Sequence, residues 1–181
     1  MTPSGDTTRP TAARAREALF SILSDVSDAE VLDLYAGSGA LGFESLSRGA
    51  TRAVLVESSK AAQRAIRTNL ANLGLEARAT LLPLRAEAAL KALERLAPFS
   101  LVFADPPWAD VQSAWALLDK LASSSLLRPA ARLVLEHAAR EPPLPKDGSR
   151  LIAVDTRRWG DTAVTIFELI EVPAPAADSS P

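Results

Sequence analysis

Seven short runs rich in Val, Leu and Ile recur along the chain, and helix-like segments separate the first five of them. The runs are residues 31–36, 53–57, 79–84, 100–105, 132–137, 151–156 and 163–169. The segments between them, rich in Ala, Leu, Lys and Arg, are residues 40–48, 59–72, 86–96 and 111–125. Short, nearly all-apolar strands that alternate with helices indicate a parallel sheet covered on both faces. We therefore predict an α/β fold with a Rossmann-like, doubly wound sheet of seven strands.

The two ends of this pattern differ from its middle. Only residues 157–162 separate the last two apolar runs, which is short enough to close an antiparallel hairpin near the C-terminus. At the other end, apolar residues at helical spacing predict a first helix over residues 11–24. At 181 residues the chain has the length of one domain, which we expect to cover residues 9–172. Residues 1–8 and 173–181 are small, polar or Pro-rich, and we expect them to be disordered.

Composition removes several classes of function. The chain has no cysteine, which excludes disulfide frameworks, thiolate nucleophiles, zinc fingers and iron–sulfur clusters. A single histidine, His137, makes a His-rich metal site or a Ser-His-Asp hydrolase hard to build, so we expect no metal. No apolar run approaches the roughly 18 residues that span a bilayer, and the first residues lack a signal-peptide apolar region. We expect no membrane contact and a cytoplasmic location.

A glycine loop follows the first strand directly. Residues 37–42 read Gly-Ser-Gly-Ala-Leu-Gly and lie between a predicted strand and a predicted helix. Glycines permit a tight turn, and the helix N-terminus offers free N–H groups to a ligand. Glu57 ends the next strand, twenty positions after Gly37, where a carboxylate can accept hydrogen bonds from ribose hydroxyls. This pattern fits NAD as well as an adenosyl cofactor.

Asp33 favours the second of these cofactors. It lies four residues before the first glycine, near the end of the strand, and we expect it to point into the ligand crevice. A carboxylate in that position repels a pyrophosphate and attracts the sulfonium and ammonium groups of S-adenosylmethionine. An NAD-dependent dehydrogenase is also disfavoured because no His or Lys–Tyr pair is placed for hydride transfer.

A second motif, Asp105-Pro106-Pro107-Trp108, follows the fourth predicted strand. The two prolines fix the backbone and remove two donors, so we expect the carbonyl groups of this loop to point outward without internal partners. At the carboxyl edge of the sheet the loop lies beside the glycine loop. A carboxylate and a carbonyl can accept both hydrogens of a planar –NH₂ group while an aromatic ring stacks on the base that carries it.

These motifs together resemble one family. The order R-P-T (9–11), LDLYAGSGALGFESLSRGA (32–50), ADPPW (104–108) and WGDTAVTIFEL (159–169) is similar to that of bacterial 16S ribosomal RNA guanine-N2 methyltransferases. The resemblance covers about residues 9–170. It implies a class I methyltransferase fold, S-adenosylmethionine as the cofactor and methyl transfer to the N2 amino group of one guanine in 16S rRNA.

The resemblance also implies roles for individual residues. The catalytic loop would be Asp105, Pro106, Pro107 and Trp108. The residues around the cofactor would be Asp33, Gly37, Ser38, Gly39, Ala40, Leu41, Glu57, Ser58, Arg85 and Ala86. The contacts to RNA would come from Arg9, Thr11, Arg14, Arg16, Arg157 and Arg158.

The sequence departs from the family pattern in two places. Family members carry a basic β-hairpin before the R-P-T motif, and here only eight residues precede it, so we expect a weaker grip on RNA. Arg85 stands where relatives place a small polar or acidic residue near the adenine, so Glu87 or a backbone carbonyl would have to accept from the adenine amino group. The net charge of −2 also argues against non-specific coating of nucleic acid. We therefore expect the substrate to be 16S rRNA within a partly assembled small ribosomal subunit.

Three alternatives remain open at this point. Aspartate-Pro-Pro-aromatic loops also serve methylation of adenine N6, and a related loop serves glutamine in proteins. The chain has no room for the target-recognition domain that a DNA enzyme usually needs. The third alternative is a non-catalytic RNA-binding assembly factor that keeps the fold without turnover.

Overall fold

The computed structural model describes residues 9–143, 145 and 148–170, with the backbone alone described for residues 9–13. The strands of this part of the chain are β1 (Glu30–Asp33), β2 (Arg52–Val56), β3 (Ala79–Leu82), β4 (Phe99–Ala104), β5 (Leu127–Ala138), β6 (Leu151–Trp159) and β7 (Thr162–Leu169). The helices are α1 (Arg9–Leu23), α2 (Ala40–Ser47), α3 (Lys60–Leu73), α4 (Leu90–Leu93) and α5 (Val111–Ala122). Two 3₁₀ turns cover Ala86–Ala88 and Trp108–Asp110.

The seven strands form one sheet in the order β3-β2-β1-β4-β5-β7-β6. The first five strands pair in parallel, and β7 runs antiparallel to both β5 and β6. In chain order, β2 and β3 follow β1 on one side of the sheet. The chain then returns to the other side of β1, where β4 and the later strands lie. In open sheets of this kind ligands bind at the carboxyl edge where the order reverses, which here lies between β1 and β4.

Apolar residues cover both faces of the sheet, as the nearly all-apolar strands predict. On one face α1, α2 and α3 pack with residues such as Phe20, Leu46 and Ile66 against Leu55 and Phe103. On the other face α4 and α5 supply a second apolar cluster, which includes the tilted ring pair Trp115 and Phe167 at 4.8 Å. The predicted α/β, Rossmann-like fold with an antiparallel strand near the C-terminus is confirmed.

The prediction of one continuous helical segment over residues 86–96 is wrong. Residues 86–96 make the 3₁₀ turn and the single turn of α4, and no side chain caps the start of either. Ala86, Ala89 and Leu93 are the buried residues of this stretch, and the chain bends to place all three against the sheet. The hairpin prediction holds, with Gly160-Asp161 as its two-residue turn.

The expected disorder of residues 1–8 and 173–181 lies outside the described residues. Within the described part, no helix is long and apolar enough to cross a membrane. No group of three or more potential metal ligands gathers there either.

Candidate active site

Two cavities open at the carboxyl edge of the sheet, one on each side of Asp105. The Glu57 cavity, of about 610 Å³, lies over β1, β2 and β3 and contains Glu57, Gly37 and Ala86 in its wall. The Glu136 cavity, of about 600 Å³, lies between α1 and strands β4, β5 and β7 and contains Glu136 in its wall. Asp105 belongs to both walls. The two cavities together have room for a cofactor and an acceptor that meet at Asp105.

The glycine loop turns tightly between β1 and α2. Gly37 and Gly39 both have positive φ, of 55° and 83°, which L side chains rarely adopt. A Cβ added at Gly39 would lie 2.5 Å from the Phe43 ring. The loop can therefore take this path only with glycine at position 39.

The start of α2 offers unused N–H groups. The N–H of Gly42 donates to Asp33, and that of Phe43 donates to the Gly39 carbonyl. The N–H groups of Ser38, Ala40 and Leu41 have no acceptor among the described residues, and all three residues line the Glu136 cavity. A helix N-terminus with free N–H groups is a binding place for an anionic group.

The prediction that Asp33 points into the ligand crevice is wrong. Its side chain is buried beneath the glycine loop, where Oδ2 accepts from the Gly42 N–H at 3.2 Å and Oδ1 has no partner in the described structure. Burial, together with the nearby Asp105 and Glu57 carboxylates, raises the pKa of Asp33 to about 7, against the opposing effect of the Gly42 hydrogen bond. Asp33 thus holds the loop onto the strand, because its neighbours close over it.

Glu57 is held in place by backbone donors. Its Oε2 accepts from the Gly37 N–H at 2.7 Å and its Oε1 accepts from the Ser59 N–H at 2.6 Å. The carboxylate is half-buried in the cavity wall beside Ser58. Each carboxylate oxygen has a second acceptor position, so the fixed group can still receive two hydroxyl hydrogens.

The far end of the Glu57 cavity contains Arg85, Ala86 and Glu87. Glu87 accepts from the Tyr35 hydroxyl at 3.2 Å, and its other oxygen lies 3.8 Å from the Arg85 guanidinium. Burial, and then the Glu87 charge, raise the pKa of Tyr35. Ala86 is buried at the start of the 3₁₀ turn. Glu87 thus accepts one hydrogen bond, on Oε1, and its Oε2 takes part in an exposed ion pair. The small Ala86 also lines this end of the cavity.

The Glu57 cavity is acidic. Four carboxylates line it, and Arg85 is the single cation in the lining described here; the acidic residues are Glu57, Glu87, Asp105 and Asp110. Such a wall disfavours a pyrophosphate and favours a ligand that carries positive charge. The preference for a cationic cofactor that was attributed to Asp33 therefore rests on these other acids.

The carbonyl groups of the loop after β4 differ in their hydrogen-bond partners. The Pro107 carbonyl accepts from the Asp110 N–H at 2.7 Å, so the prediction of a free carbonyl is wrong at that residue. The buried Pro106 has no donor to its carbonyl among the described residues. Asp105 is exposed at the mouth of both cavities, and the protein around its carboxyl group displaces water and raises its pKa.

Trp108 lies at the rim. Its side chain is 56% exposed at the start of a 3₁₀ turn, and it is absent from the described walls of both cavities. The aromatic side chains in the described wall of the Glu136 cavity are those of Phe103 on β4 and Trp159 at the end of β6. The sequence motifs indicated no role for Glu136, or for Trp159, which begins the motif of residues 159–169. A signal for Glu136 was present, since an acid ends an apolar strand there as Asp105 does after β4.

The predicted RNA-contacting arginines lie in three different settings. Arg14 is exposed on α1, and Arg16 lines the Glu136 cavity. Arg157 and Arg158 are neighbours on β6, so their side chains point to opposite faces of the sheet. Arg157 is paired with Asp155 at 3.0 Å. The side chains of Arg9 and Thr11 lie outside the described residues.

Comparison with known proteins gives matches over most of the chain. A family model described as "Conserved hypothetical protein 95" matches residues 1–168. The Bacillus subtilis "Putative rRNA methyltransferase YlbH" is 34% identical over 166 residues, which are 91% of this chain and 89% of that protein. The Escherichia coli "Ribosomal RNA small subunit methyltransferase D" is 42% identical over 102 residues, which are 55% of this chain and 50% of that protein. A solved structure described as "Putative methyltransferase yhhF from Escherichia coli" superposes with a TM-score of 0.73 at 31% identity and covers 88% of this chain and 86% of that one.

Proposed function

The chain belongs to the family described as Conserved hypothetical protein 95, and from that membership and the site we propose that it methylates the N2 amino group of a guanine in 16S ribosomal RNA. S-adenosylmethionine is the proposed methyl donor. The names of two relatives, the Bacillus subtilis "Putative rRNA methyltransferase YlbH" and the Escherichia coli "Ribosomal RNA small subunit methyltransferase D", support the class of substrate. The observation that carries the proposal is the position of Asp105 in the walls of both cavities.

The residues present fit this cofactor. Glu57, held by two backbone N–H groups, would accept from the ribose hydroxyls, with Ser58 and Ala86 beside the adenine. The free N–H groups at the start of α2 would bind the carboxylate of the methionine part. The acidic wall favours the sulfonium and ammonium charges. The cofactor supplies a methyl group that its sulfonium has already activated.

Asp105 and Pro106 would act on the acceptor amino group. The N2 lone pair of guanine is delocalised into the ring, which makes N2 a poor nucleophile. Hydrogen bonds from N2–H to the Asp105 carboxylate and the Pro106 carbonyl raise the electron density at N2 as positive charge develops there. The raised pKa of Asp105 makes it a better acceptor for the proton that leaves N2.

The rim would hold the RNA. An exposed Trp108 beside a polar site is suited to stack on a base that has left its helix. We propose that phosphate contacts come from the arginines of α1 and β6, that is Arg9, Arg14, Arg16, Arg157 and Arg158, and from Thr11 of α1, as the family resemblance implies.

The substrate particle is a further part of the proposal. A net charge of −2 allows few phosphate contacts, and each neutralised phosphate on a single strand contributes a slope of only about −0.7 to the salt dependence of binding. We therefore infer that the enzyme acts on 16S rRNA in a partly assembled small subunit, whose proteins present the guanine. The proposed location is the cytoplasm, where such particles form.

The test is methyl incorporation from labelled S-adenosylmethionine into 30S particles and into protein-free 16S rRNA, at matched salt. Nuclease digestion and chromatography of the labelled nucleoside identify the product. We expect N2-methylguanosine at one position, with faster labelling of the particles.

Other outcomes separate the parts of the proposal. Equal or faster labelling of naked RNA contradicts the assembly requirement and leaves the chemistry intact. N6-methyladenosine as the product contradicts the choice of base. Labelling of neither RNA by a protein that binds the cofactor contradicts the proposed function.

A further inference from the structure

Glu136 is a carboxylate without a partner in the described part of the chain. It lies on β5 in the wall of the Glu136 cavity, half-buried, and no described residue donates a hydrogen bond to it or forms an ion pair with it. The methyl-transfer chemistry assigned above does not use it. A half-buried carboxylate that receives no hydrogen bond is costly to keep ionised, so its role lies with what enters the cavity.

The sheet register brings Glu136 beside Asp105. Phe103 of β4 pairs with Val134 of β5 in parallel register. Asp105 and Glu136 each lie two residues further on, so their side chains point to the same face from strands that are about 5 Å apart. Both residues line the Glu136 cavity. The two acceptors therefore stand side by side at one end of it.

The remainder of the cavity suits a flat ring. Its wall is mainly apolar and includes Phe103, Val134, Val164 and Trp159. Arg16 from α1 lines the same cavity but lies too far from Glu136 to form an ion pair. A ligand that fills this space must bring a planar apolar body and adjacent N–H donors on one edge. Guanine presents N1–H and the N2 amino group next to each other.

We infer that Glu136 selects guanine by accepting the hydrogen of its N1–H while Asp105 and the Pro106 carbonyl hold the N2 amino group. This inference rests on the proposed function. The positions match, because N1 and N2 of guanine point in the same direction and the two carboxylates are neighbours across one strand spacing. A base whose N1 carries a lone pair would place that lone pair against the Glu136 carboxylate.

The probe is 2-aminopurine, which keeps the amino group at C2 and has a bare N1. It is placed at the mapped target position of 16S rRNA by splinted ligation, and the RNA is assembled into 30S particles. The measured quantity is the ratio of kcat/KM for guanine to kcat/KM for 2-aminopurine. We compare this ratio between variants, so that the different intrinsic reactivities of the two bases cancel.

The wild-type protein should prefer guanine by at least about 100-fold, because an unpaired acceptor facing a lone pair loses a hydrogen bond to a charged group. In Glu136→Gln the amide can donate to the bare N1, and the ratio should fall at least about tenfold. In Glu136→Leu the ratio should also fall, through slower methylation of guanine. The matched control is Glu168→Gln, an exposed carboxamide substitution on β7 that should leave the ratio unchanged.

Each outcome decides the assignment. A folded Glu136→Gln protein that keeps the wild-type ratio overturns it and leaves the proposed function intact. Failure of the wild-type protein to methylate guanine in any particle, with the cofactor bound, overturns the proposed function and this assignment together. Thermal melting of each variant shows that it is folded.

Discussion

The two cavities beside Asp105 have similar volumes but differ in how their acids are held. In the Glu57 cavity, Glu57 receives two backbone hydrogen bonds and Glu87 receives one from Tyr35. In the Glu136 cavity, Glu136 receives none from the described residues, and burial and the Asp105 charge raise its pKa to about 7. Glu57 and Glu87 in the first cavity thus have hydrogen-bond donors before any ligand binds. In the second cavity no described N–H group donates to Glu136, and a ligand must bring that donor.

The largest effect should come from the residue that the cavities share. Asp105→Ala should lower methyl transfer by about 10²–10³-fold, since it removes an acceptor aimed at the developing charge. Cofactor affinity, measured by calorimetry, should stay within a few-fold, because the Glu57 cavity keeps its other contacts. An Asp105→Ala protein that retains most of its turnover contradicts the assignment.

The Glu57 cavity can be tested by itself. Glu57→Ala should weaken the binding of S-adenosylmethionine by roughly 1.5–3 kcal/mol, the usual range for hydrogen bonds to a charged group. The measurement is calorimetric titration, with NAD as the second ligand and the exposed Glu94→Ala as the control variant. Binding of NAD in preference to S-adenosylmethionine by the wild-type protein would overturn the choice of cofactor.

Trp108 should affect the RNA side alone. Trp108→Ala should weaken RNA engagement by roughly 1–3 kcal/mol through the loss of stacking. It should leave the melting temperature nearly unchanged, since the side chain is 56% exposed. The readout is KM for 30S particles beside Kd for the cofactor. If cofactor affinity falls as much as the affinity for 30S particles, Trp108 contacts the cofactor and its assignment to RNA is wrong.

The smallest expected effect is a pH dependence of the free energy of unfolding that comes from Glu136. The pKa of Glu136 is raised from 4.5 to about 7 in the folded protein, so the fold loses stability as the pH rises from about 4.5 to about 7, and the loss is complete above that range. Besides burial, the charge of Asp105, directly after β4, raises this pKa, and Arg16 from α1 lines the same cavity. Arg157 of β6 lies in the same register row but on the far side of β7. Glu136→Gln should therefore raise the free energy of unfolding at pH 8 by about 1–2 kcal/mol, after allowance for partial exposure. At pH 5.5 the gain should be much smaller.

Urea unfolding at both pH values measures this difference, with Glu168→Gln as the control. Equal effects of Glu136→Gln at pH 8 and pH 5.5 would mean that Glu136 is not destabilised by ionisation. The carboxylates of the two cavities would then differ less in how well they are stabilised than their hydrogen bonds indicate.

The sequence predicts the fold well because burial on both sides of a sheet leaves a strong pattern. The runs of Val, Leu and Ile that form β1 to β5 are typical of strands in a parallel sheet covered on both faces. The family is also predicted correctly, since the motifs from R-P-T to the last hairpin keep their order, and the family match confirms it. The stretch 86–96 failed because helical composition does not fix where a chain must bend to bury Ala86 and Leu93.

The site is harder to predict because side-chain direction at a strand end depends on what closes over it. Asp33 and Glu57 both stand near strand ends, yet the loop covers Asp33 while Glu57 faces a cavity. Glu136 was missed because its significance depends on the register of β4 with β5, which no local motif encodes. The roles of the catalytic, cofactor-binding and RNA-binding residues stay predictions until the variants are measured.

The position of β7 has a consequence for the order in which the protein is made. β7 follows β6 in the chain, yet it lies between β5 and β6 in the sheet. β6 is therefore synthesised before its only neighbouring strand in the described sheet, and it cannot join the sheet until β7 has followed it. Thr162, Val164 and Trp159, which close the Glu136 cavity, belong to this late hairpin. The pairing of β1 to β5 does not need this hairpin, so the Glu57 cavity can form first. The Glu136 cavity can form only after the hairpin has docked.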